Sequence, residues 1–156
     1  MIRVLFICLG NICRSPMAEA IFRDLVKKEG LSDKIEVDSA GIGPWHSGDA
    51  PHEGTRKILD RQDISYDGMK ARQIHTNDWH RFDYMIAMDD DNIRALQGMT
   101  GATDGAVVAR LMDYVHEAET ANVPDPYFTG NFDYTYELVS DGCKQLLNQI
   151  KTENNT

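Results

Sequence analysis

The most constraining feature of this sequence is the apolar run at residues 2–7 (IRVLFI), which leads directly into a loop and a helix start. A run of this kind is typical of a strand buried on both faces of a sheet. Gly10 and Asn11 end the run, and both tolerate the left-handed backbone that a curled loop needs. Ser15 and Pro16 are residue types that begin a helix, with Ser15 as the N-cap. The segment therefore predicts a buried strand, a tight loop and a helix.

The rest of the chain alternates between strand-like and helix-like patterns. Further strands are predicted at residues 34–39, 82–88 and 106–111, and helices at residues 15–30, 51–61, 89–96 and 133–150. Residues 123–128 are predicted to form a loop, because Pro124 and Pro126 flank a single residue. This alternation predicts an α/β three-layer sandwich, in which helices cover both faces of a parallel sheet. Ligands of such folds bind beyond the carboxyl ends of the strands.

Chain length and net charge limit the kind of protein this can be. A chain of 156 residues has the size of one domain, which we expect to span residues 1–151, with a frayed polar tail at 152–156. No apolar run approaches the roughly 20 residues that a membrane span needs. The net charge of −9 argues against broad binding to nucleic acid or to acidic membranes. We therefore expect neither partner, and at this size we expect a monomer.

The charge is unevenly distributed along the chain. Residues 1–75 contain 11 Lys and Arg against 11 Asp and Glu, whereas residues 76–156 contain 5 against 14. The N-terminal half is neutral and is the better place to expect an anion site.

Three cysteines, Cys8, Cys13 and Cys143, are an odd number with no disulfide framework. Such usage is typical of a reducing compartment. The apolar stretch at the N-terminus is also too short for a signal peptide. We therefore expect a cytoplasmic protein.

The loop after the first strand has the spacing Cys8, five residues, Arg14, Ser15. A loop that feeds a helix N-terminus can turn its backbone N–H groups inward around an anion, and the helix dipole adds positive potential there. Arg14 supplies a planar fork for two phosphate oxygens. Cys8 lies at the base of this cradle, where these groups and a hydrogen bond from Ser15 would favour its thiolate. We interpret Cys8 as a nucleophile for phosphorus; the alternative is a buried strand cysteine beside a surface arginine.

Thiolate attack on a phosphoester needs an acid for the leaving oxygen, and Asp125 is the best candidate. Its flanking prolines stiffen the loop, and Tyr127 and Phe128 beside it would wall a cleft that grips an aryl group. Trp45 would form the facing wall. The alternatives are a solvated turn aspartate and a tryptophan partly buried under a loop.

Three motifs together resemble the low-molecular-weight protein tyrosine phosphatases, and most closely their bacterial branch. They are CLGNICRSPMAEA near the N-terminus, VDSAG in the second strand and VPDPYF near the end, and the likeness extends from Val4 to about Ile150. The resemblance implies a flavodoxin-like sheet of four parallel strands with phosphotyrosine phosphatase I-like topology. It also implies hydrolysis of phosphotyrosine in proteins or peptides, with inorganic phosphate as product and without metal or cofactor.

The resemblance also implies roles for individual residues. Cys8 would form a phosphocysteine intermediate, Arg14 would bind the phosphoryl oxygens, and Asp125 would protonate the phenolate and then activate water. Trp45 and Tyr127 match the cleft walls, to which Phe128 is adjacent. The remaining positions form the phosphate-binding loop or support it: Leu9, Gly10, Asn11, Ile12, Cys13 and Ser15 in the loop, and Ser39 behind it.

Two positions depart from the family pattern. Met69 stands near the place where many animal members have a histidine that joins the loop network, which puts that bracing network in doubt. Phe128 stands where a second tyrosine is common, which removes a hydroxyl from the cleft. Neither departure touches the reaction.

Three other activities fit part of the pattern. Arsenate reductases use a similar first step but need a relay of further cysteines, and no cysteine lies between Cys13 and Cys143. Protein-arginine phosphatases carry threonine where Ile12 stands, and an apolar isoleucine favours an aryl ring over a guanidinium. A phosphopeptide-binding module would need the cradle but neither Cys8 nor Asp125.

Smaller features of the sequence allow further expectations. The Asp89-Asp90-Asp91 run fits a helix N-terminus better than a cation site, and the histidines lack ligand spacing, so we predict no metal. A reversible Cys8–Cys13 disulfide would shield the nucleophile from over-oxidation, the alternative being a packed free thiol at Cys13. Family likeness also suggests Tyr134 or Tyr136 as regulatory phosphorylation sites.

Overall fold

The computed structural model describes residues 1–99 and 105–155. Within these two ranges, four strands and six α-helices follow one another in the order β1 Ile2–Cys8, α1 Arg14–Lys28, β2 Ile35–Gly41, α2 Glu53–Arg61, α3 Asp78–Arg81, β3 Tyr84–Ala87, α4 Asp90–Gln97, β4 Val107–Arg110, α5 Pro126–Thr129 and α6 Phe132–Asn154, with a 3-10 helix at Leu111–Tyr114 after β4.

The strands form one parallel sheet in the order β2-β1-β3-β4. Strand β1 is central and pairs with β2 from Ile2 opposite Ile35 to Cys8 opposite Gly41. The chain moves from β1 to β2 on one side and then crosses to β3 on the other, so the strand order reverses between β1 and β3. The carboxyl ends of these two strands therefore border the crevice where such folds bind ligands.

Alternate residues of β1 face two separate hydrophobic cores. Phe6 belongs to the core shared with α1 and α6, where its ring meets that of Phe22 edge-on at 5.5 Å. Leu5 and Ile7 belong to the core on the opposite face, shared with Trp79 and Leu96 of α3 and α4. Both faces of the sheet are thus covered, and the predicted α/β three-layer sandwich with a flavodoxin-like sheet is confirmed.

The predicted start of the first helix is wrong by two residues. Helix α1 begins at Arg14, and Cys13 occupies the N-cap position without a side-chain cap hydrogen bond. Ser15 does not cap the helix, because its hydroxyl lies 2.7 Å from Asn11 Nδ2 and 3.0 Å from Cys8 Sγ. The Ser15 hydroxyl therefore contacts the loop that precedes the helix and not the helix N–H groups.

Two other predictions about local structure are corrected. The proline-rich segment is not a loop throughout, because Pro126–Thr129 form a helical turn capped by Asp125. The tail is not frayed from residue 152, because α6 continues to Asn154. Its last turn is anchored to the sheet by Tyr84, whose hydroxyl donates to Glu153 and accepts from Asn154 Nδ2. Among the helices in the described ranges, none is both long and apolar enough to cross a membrane.

Candidate active site

The loop between β1 and α1 is organised around the side chain of Asn11. This residue adopts the left-handed backbone expected of it, with φ of 58°, and is almost fully buried. Its Oδ1 accepts a hydrogen bond from the Arg72 backbone N–H at 3.0 Å. Its Nδ2 donates to Ser15 at 2.7 Å and to Ser39 at 2.9 Å. Every hydrogen-bonding atom of the amide is therefore used to hold the loop.

Gly10 serves the loop in a different way from the one its sequence predicts. Its φ is not positive, so it does not provide a second left-handed residue. Instead, a Cβ at this position would lie 3.0 Å from Cδ2 of His46. The glycine therefore allows the segment that carries Trp45 and His46 to approach the loop closely.

Behind the loop, Ser39 extends the Asn11 network to a buried carboxylate. The Ser39 hydroxyl donates to Glu19 at 2.6 Å, and Glu19 also pairs with Arg23. Burial raises the pKa of the Glu19 carboxyl, against the opposing effects of Ser39 and Arg23. Sequence reasoning missed Glu19, although it lies within the first motif. The loop is thus braced from Asn11 to Glu19 without a histidine at the Met69 position.

Cys8 ends β1 at the base of the loop, with 3% of its surface exposed. Its Sγ lies 3.0 Å from the Ser15 hydroxyl. Because Asn11 Nδ2 already donates to Ser15, the hydroxyl hydrogen of Ser15 is available to the sulfur. The positive end of α1 begins at Arg14, six residues after Cys8. The sulfur therefore faces a hydrogen-bond donor and a helix N-terminus.

Arg14 is a buried cation, not a surface charge, because only 2% of its surface is exposed. Its Nη1 donates to Asp89 at 2.5 Å and to the Val123 carbonyl at 2.9 Å, and its Nη2 lies 3.3 Å from Asp125. Burial by itself lowers the pKa of the guanidinium, but the neighbouring Cys8, Asp89 and Asp125 outweigh that effect and raise it. Within the described residues, the buried Nε of Arg14 has no hydrogen-bond partner.

Asp125 lies at the edge of the same site. Its Oδ1 accepts the Tyr127 N–H at 3.0 Å as the cap of α5, and its Oδ2 faces Arg14. Contacts to both carboxylate oxygens therefore hold Asp125 in a defined position, so it is not a freely solvated turn residue. A single guanidinium links Asp125 to the loop that carries Cys8.

A cavity of about 250 Å³ opens above the loop. Part of its wall is formed by residues of the loop, namely Cys8, Leu9, Gly10, Ile12 and Cys13. The rest is formed by the aromatic residues Trp45, Tyr127 and Phe128, together with His46 and Asp125. The three aromatic side chains are exposed: 67% of Trp45, 53% of Tyr127 and 73% of Phe128. Trp45 is therefore not partly buried under a loop, and an apolar rim surrounds the entrance.

His46 is a cavity residue that sequence reasoning missed. Its ring lies 6.1 Å from that of Tyr127, and its Nδ1 lies 3.5 Å from Asp49. On the other side of Tyr127, His52 lies at 6.0 Å and stacks on Phe132. The only signal in the sequence was the position of His46 directly after Trp45.

The two other cysteines are buried thiols. Burial raises the pKa of Cys13 to about 12, so this residue stays protonated at neutral pH. Cys143 is buried in α6, where its Sγ contacts the Ala18 carbonyl at 3.6 Å. In the parts of the chain that the structure describes, no group of three or more histidine, cysteine or acidic residues is placed to hold a metal ion.

Comparison with known proteins places this geometry in a family. The model of the family described as low molecular weight phosphotyrosine protein phosphatase matches residues 3–156. The low molecular weight protein-tyrosine-phosphatase YfkJ of Bacillus subtilis is 58% identical over 153 residues, which cover 98% of each chain.

Solved structures agree with the match. The crystal structure of YfkJ from Bacillus subtilis superposes with a TM-score of 0.96 over 99% of this chain and 97% of the other, at 58% identity. An arginine phosphatase of Drosophila superposes with a TM-score of 0.88 at 34% identity, over 95% of this chain and 97% of the other. With its cysteine loop and carboxylate on this sheet, the chain belongs to the low molecular weight phosphotyrosine protein phosphatase family.

Proposed function

We propose that this protein hydrolyses phosphotyrosine in proteins, with Cys8 as nucleophile, Arg14 as phosphate ligand and Asp125 as general acid and base. The unpartnered Nε of the buried Arg14 carries this proposal. A buried donor without an acceptor is costly, and an oxyanion bound in the loop would supply that acceptor. Cys8 lines the cavity above the same loop, together with Asp125.

In the first step the Cys8 thiolate attacks phosphorus and forms an S–P bond. The bond between phosphorus and the phenolic oxygen breaks, and its electron pair leaves on that oxygen. The proton of Asp125 neutralises the phenolate as it departs. Before this step the phosphate displaces Asp125 from Arg14 Nη2 at 3.3 Å, which frees this carboxyl to face the leaving oxygen.

In the second step the Asp125 carboxylate takes a proton from water. The water oxygen attacks phosphorus, the S–P bond breaks, and its electron pair returns to Cys8 as the thiolate. Ser15, 3.0 Å from Sγ, donates a hydrogen bond that stabilises this leaving group. Inorganic phosphate is the product, and Asp125 again carries the proton that the first step of the next turnover uses.

The cavity supports an aryl substrate. Trp45, Tyr127 and Phe128 offer exposed rings at the entrance, which suits the ring of phosphotyrosine. Ile12 packs against Ala71 and Phe132 and gives the inner wall an apolar surface. A phosphoserine is too short to use the aromatic rim.

Protein-arginine phosphatase is the second candidate, because the Drosophila arginine phosphatase has the same fold at 34% identity. Ile12 argues against it, since a guanidinium next to this apolar side chain would lose hydrogen bonds to water without replacement. Arsenate reduction finds little support, because Cys143 lies buried in α6 and cannot meet Cys8 as a relay thiol without local opening.

We also propose that the protein is a cytoplasmic monomer with one phosphatase domain. Cys8, Cys13 and Cys143 are all unpaired, which fits a reducing compartment. A chain of 156 residues has the size of one domain.

Turnover of phosphotyrosine, phosphoserine and phosphoarginine peptides tests the proposed reaction. We expect the parent protein to prefer phosphotyrosine, and Cys8→Ser to lose turnover while it still binds the phosphopeptide. Faster turnover of phosphoarginine would select the second candidate. Turnover that survives Cys8→Ser would refute the thiolate mechanism, and binding without turnover by the parent would identify a phosphopeptide-binding module.

A further inference from the structure

Asp89 is the carboxylate nearest to Arg14 that the proposed reaction does not use. Its Oδ1 accepts the Asn92 N–H at 2.8 Å and so caps α4, while its Oδ2 accepts from Arg14 Nη1 at 2.5 Å. The two aspartates that follow have other partners: Asp90 pairs with Arg110 at 2.9 Å, and Asp91 pairs with Arg94 on the surface. The acidic run is thus a helix N-terminus, as its sequence predicts, but its first member also reaches the buried arginine.

The turn that carries Asp89 also holds the segment before Asp125. The Val123 N–H donates to the Met88 carbonyl at 2.8 Å, and the Asp90 N–H donates to Asn122 Oδ1 at 2.9 Å. Arg14 Nη1 completes the arrangement by donating to the Val123 carbonyl. The short turn between β3 and α4 is therefore tied both to the phosphate ligand and to the loop of the general acid.

We propose that Asp89 is a positioning residue that orients Arg14 for phosphate binding. It holds Nη1 from behind, on the side of the sheet switch point, and so leaves Nε and Nη2 for the oxyanion. This inference rests on the proposed function and extends it to a residue outside the phosphate loop.

Asp89 has this role because it competes with Asp125 for the Arg14 guanidinium. Arg14 is buried and needs an acceptor on each side. Asp125 is the acceptor that a substrate must displace, whereas Asp89 keeps its contact throughout. Without the Asp89 carboxylate, the guanidinium would turn towards Asp125, its remaining carboxylate partner at 3.3 Å. Phosphate would then compete with a stronger internal ion pair.

Substitution of Asp89 by asparagine separates the two roles of this residue. Asparagine is as good an N-cap as aspartate, so Asp89→Asn keeps the start of α4 but removes the carboxylate that Arg14 needs. Asp89→Ser is the second variant, because serine also caps helices and is too short to reach Arg14. Asp91→Asn is the matched control, since Asp91 lies in the same turn on the exposed side.

The assay measures phosphate affinity separately from turnover. Inorganic phosphate is titrated as a protectant of Cys8 against alkylation by iodoacetamide, and kcat and KM are measured on an aryl phosphate at a temperature where circular dichroism shows each variant to be folded. A charge-assisted hydrogen bond is worth enough to change phosphate affinity and kcat/KM by about 10–100-fold. We expect losses of that size in both Asp89 variants and less than twofold change in Asp91→Asn.

The outcomes distinguish this inference from the proposed function. If the parent is active and both Asp89→Asn and Asp89→Ser stay within twofold of it in phosphate affinity and kcat/KM, the positioning role is refuted. The proposed function would then stand. A lower melting temperature with unchanged phosphate affinity would show that Asp89 only caps the helix. A parent that neither hydrolyses aryl phosphates nor binds phosphate would refute the proposed function and this inference together.

Discussion

Replacement of Asn11 tests how the phosphate loop keeps its shape. The side chain of Asn11 makes three hydrogen bonds, to Ser15, Ser39 and the Arg72 N–H, and its backbone is left-handed with φ of 58°. Asn11→Gly removes the hydrogen bonds but accepts the backbone conformation. Asn11→Ala removes the same bonds and also keeps a Cβ in that conformation. Comparison of the two variants separates the two contributions.

The expected losses follow from these contacts. Three hydrogen bonds at about 0.5–1.5 kcal/mol each predict that Asn11→Gly lowers the free energy of unfolding by about 1.5–4.5 kcal/mol. A left-handed backbone costs a non-glycine residue about 1–2 kcal/mol, and the greater freedom of glycine in the unfolded chain offsets about half of that. Asn11→Ala should therefore be less stable than Asn11→Gly by about 0.5–1 kcal/mol.

Urea unfolding measures both differences, and Asp63 supplies the control. Asp63 has φ of 57° and an exposed side chain outside the site. The unfolding free energy of Asp63→Ala should therefore be lower than that of Asp63→Gly by about the same 0.5–1 kcal/mol. Neither Asp63 variant should show the larger loss that both Asn11 variants share. We also expect kcat/KM to fall more than tenfold in both Asn11 variants, because the loop positions Cys8 and Arg14. An Asn11→Gly variant within 0.5 kcal/mol of the parent in unfolding free energy would refute the role given to this amide.

Three further outcomes are expected. Asp125→Asn should lower kcat about 10²–10⁴-fold on phosphotyrosine peptides and much less on an aryl phosphate with an acidic phenol, and equal losses on both would contradict its role as general acid. Peroxide inactivation of Cys13→Ser should be less reversible by thiols than that of the parent, because Cys13 would no longer trap the Cys8 sulfenic acid as a disulfide; equal recovery would rule that disulfide out. Acidic phosphopeptides should turn over more slowly than neutral ones at low salt, since residues 76–156 carry 5 basic against 14 acidic residues, and the reverse order would contradict the charge argument.

Local sequence was enough to predict the elements closest to the site. A buried apolar strand, a Gly-Asn loop and a Ser-Pro helix start lie next to one another in the chain, so their order alone places Cys8 and Arg14 at one end of a sheet. The prediction of Ser15 as N-cap failed for a physical reason. Its hydroxyl could hydrogen-bond either to the helix N–H groups or to the loop. In the folded protein it contacts Asn11 and Cys8 of the loop, so it is not free to cap the helix.

The end of α6 is a second place where a distant contact overrides the local sequence pattern. The polar residues after position 151 predict fraying, yet the helix continues to Asn154. Hydrogen bonds from this last turn to Tyr84, 69 and 70 residues away in sequence, stabilise it. No local pattern contains that partner.

The sequence by itself determined the loop that carries Cys8, the order of the four strands and of helices α1, α2, α4 and α6, and the residue types of the proposed chemistry. Only the tertiary structure decided which groups hold Arg14. Its partners Asp89 and Asp125 lie 75 and 111 residues further along the chain. They reach the guanidinium because parallel pairing brings the end of β3 beside the end of β1, and because the segment before α5 hydrogen-bonds to the turn after β3. Contacts of this kind depend on the packing of distant elements, which residue patterns within one element do not specify.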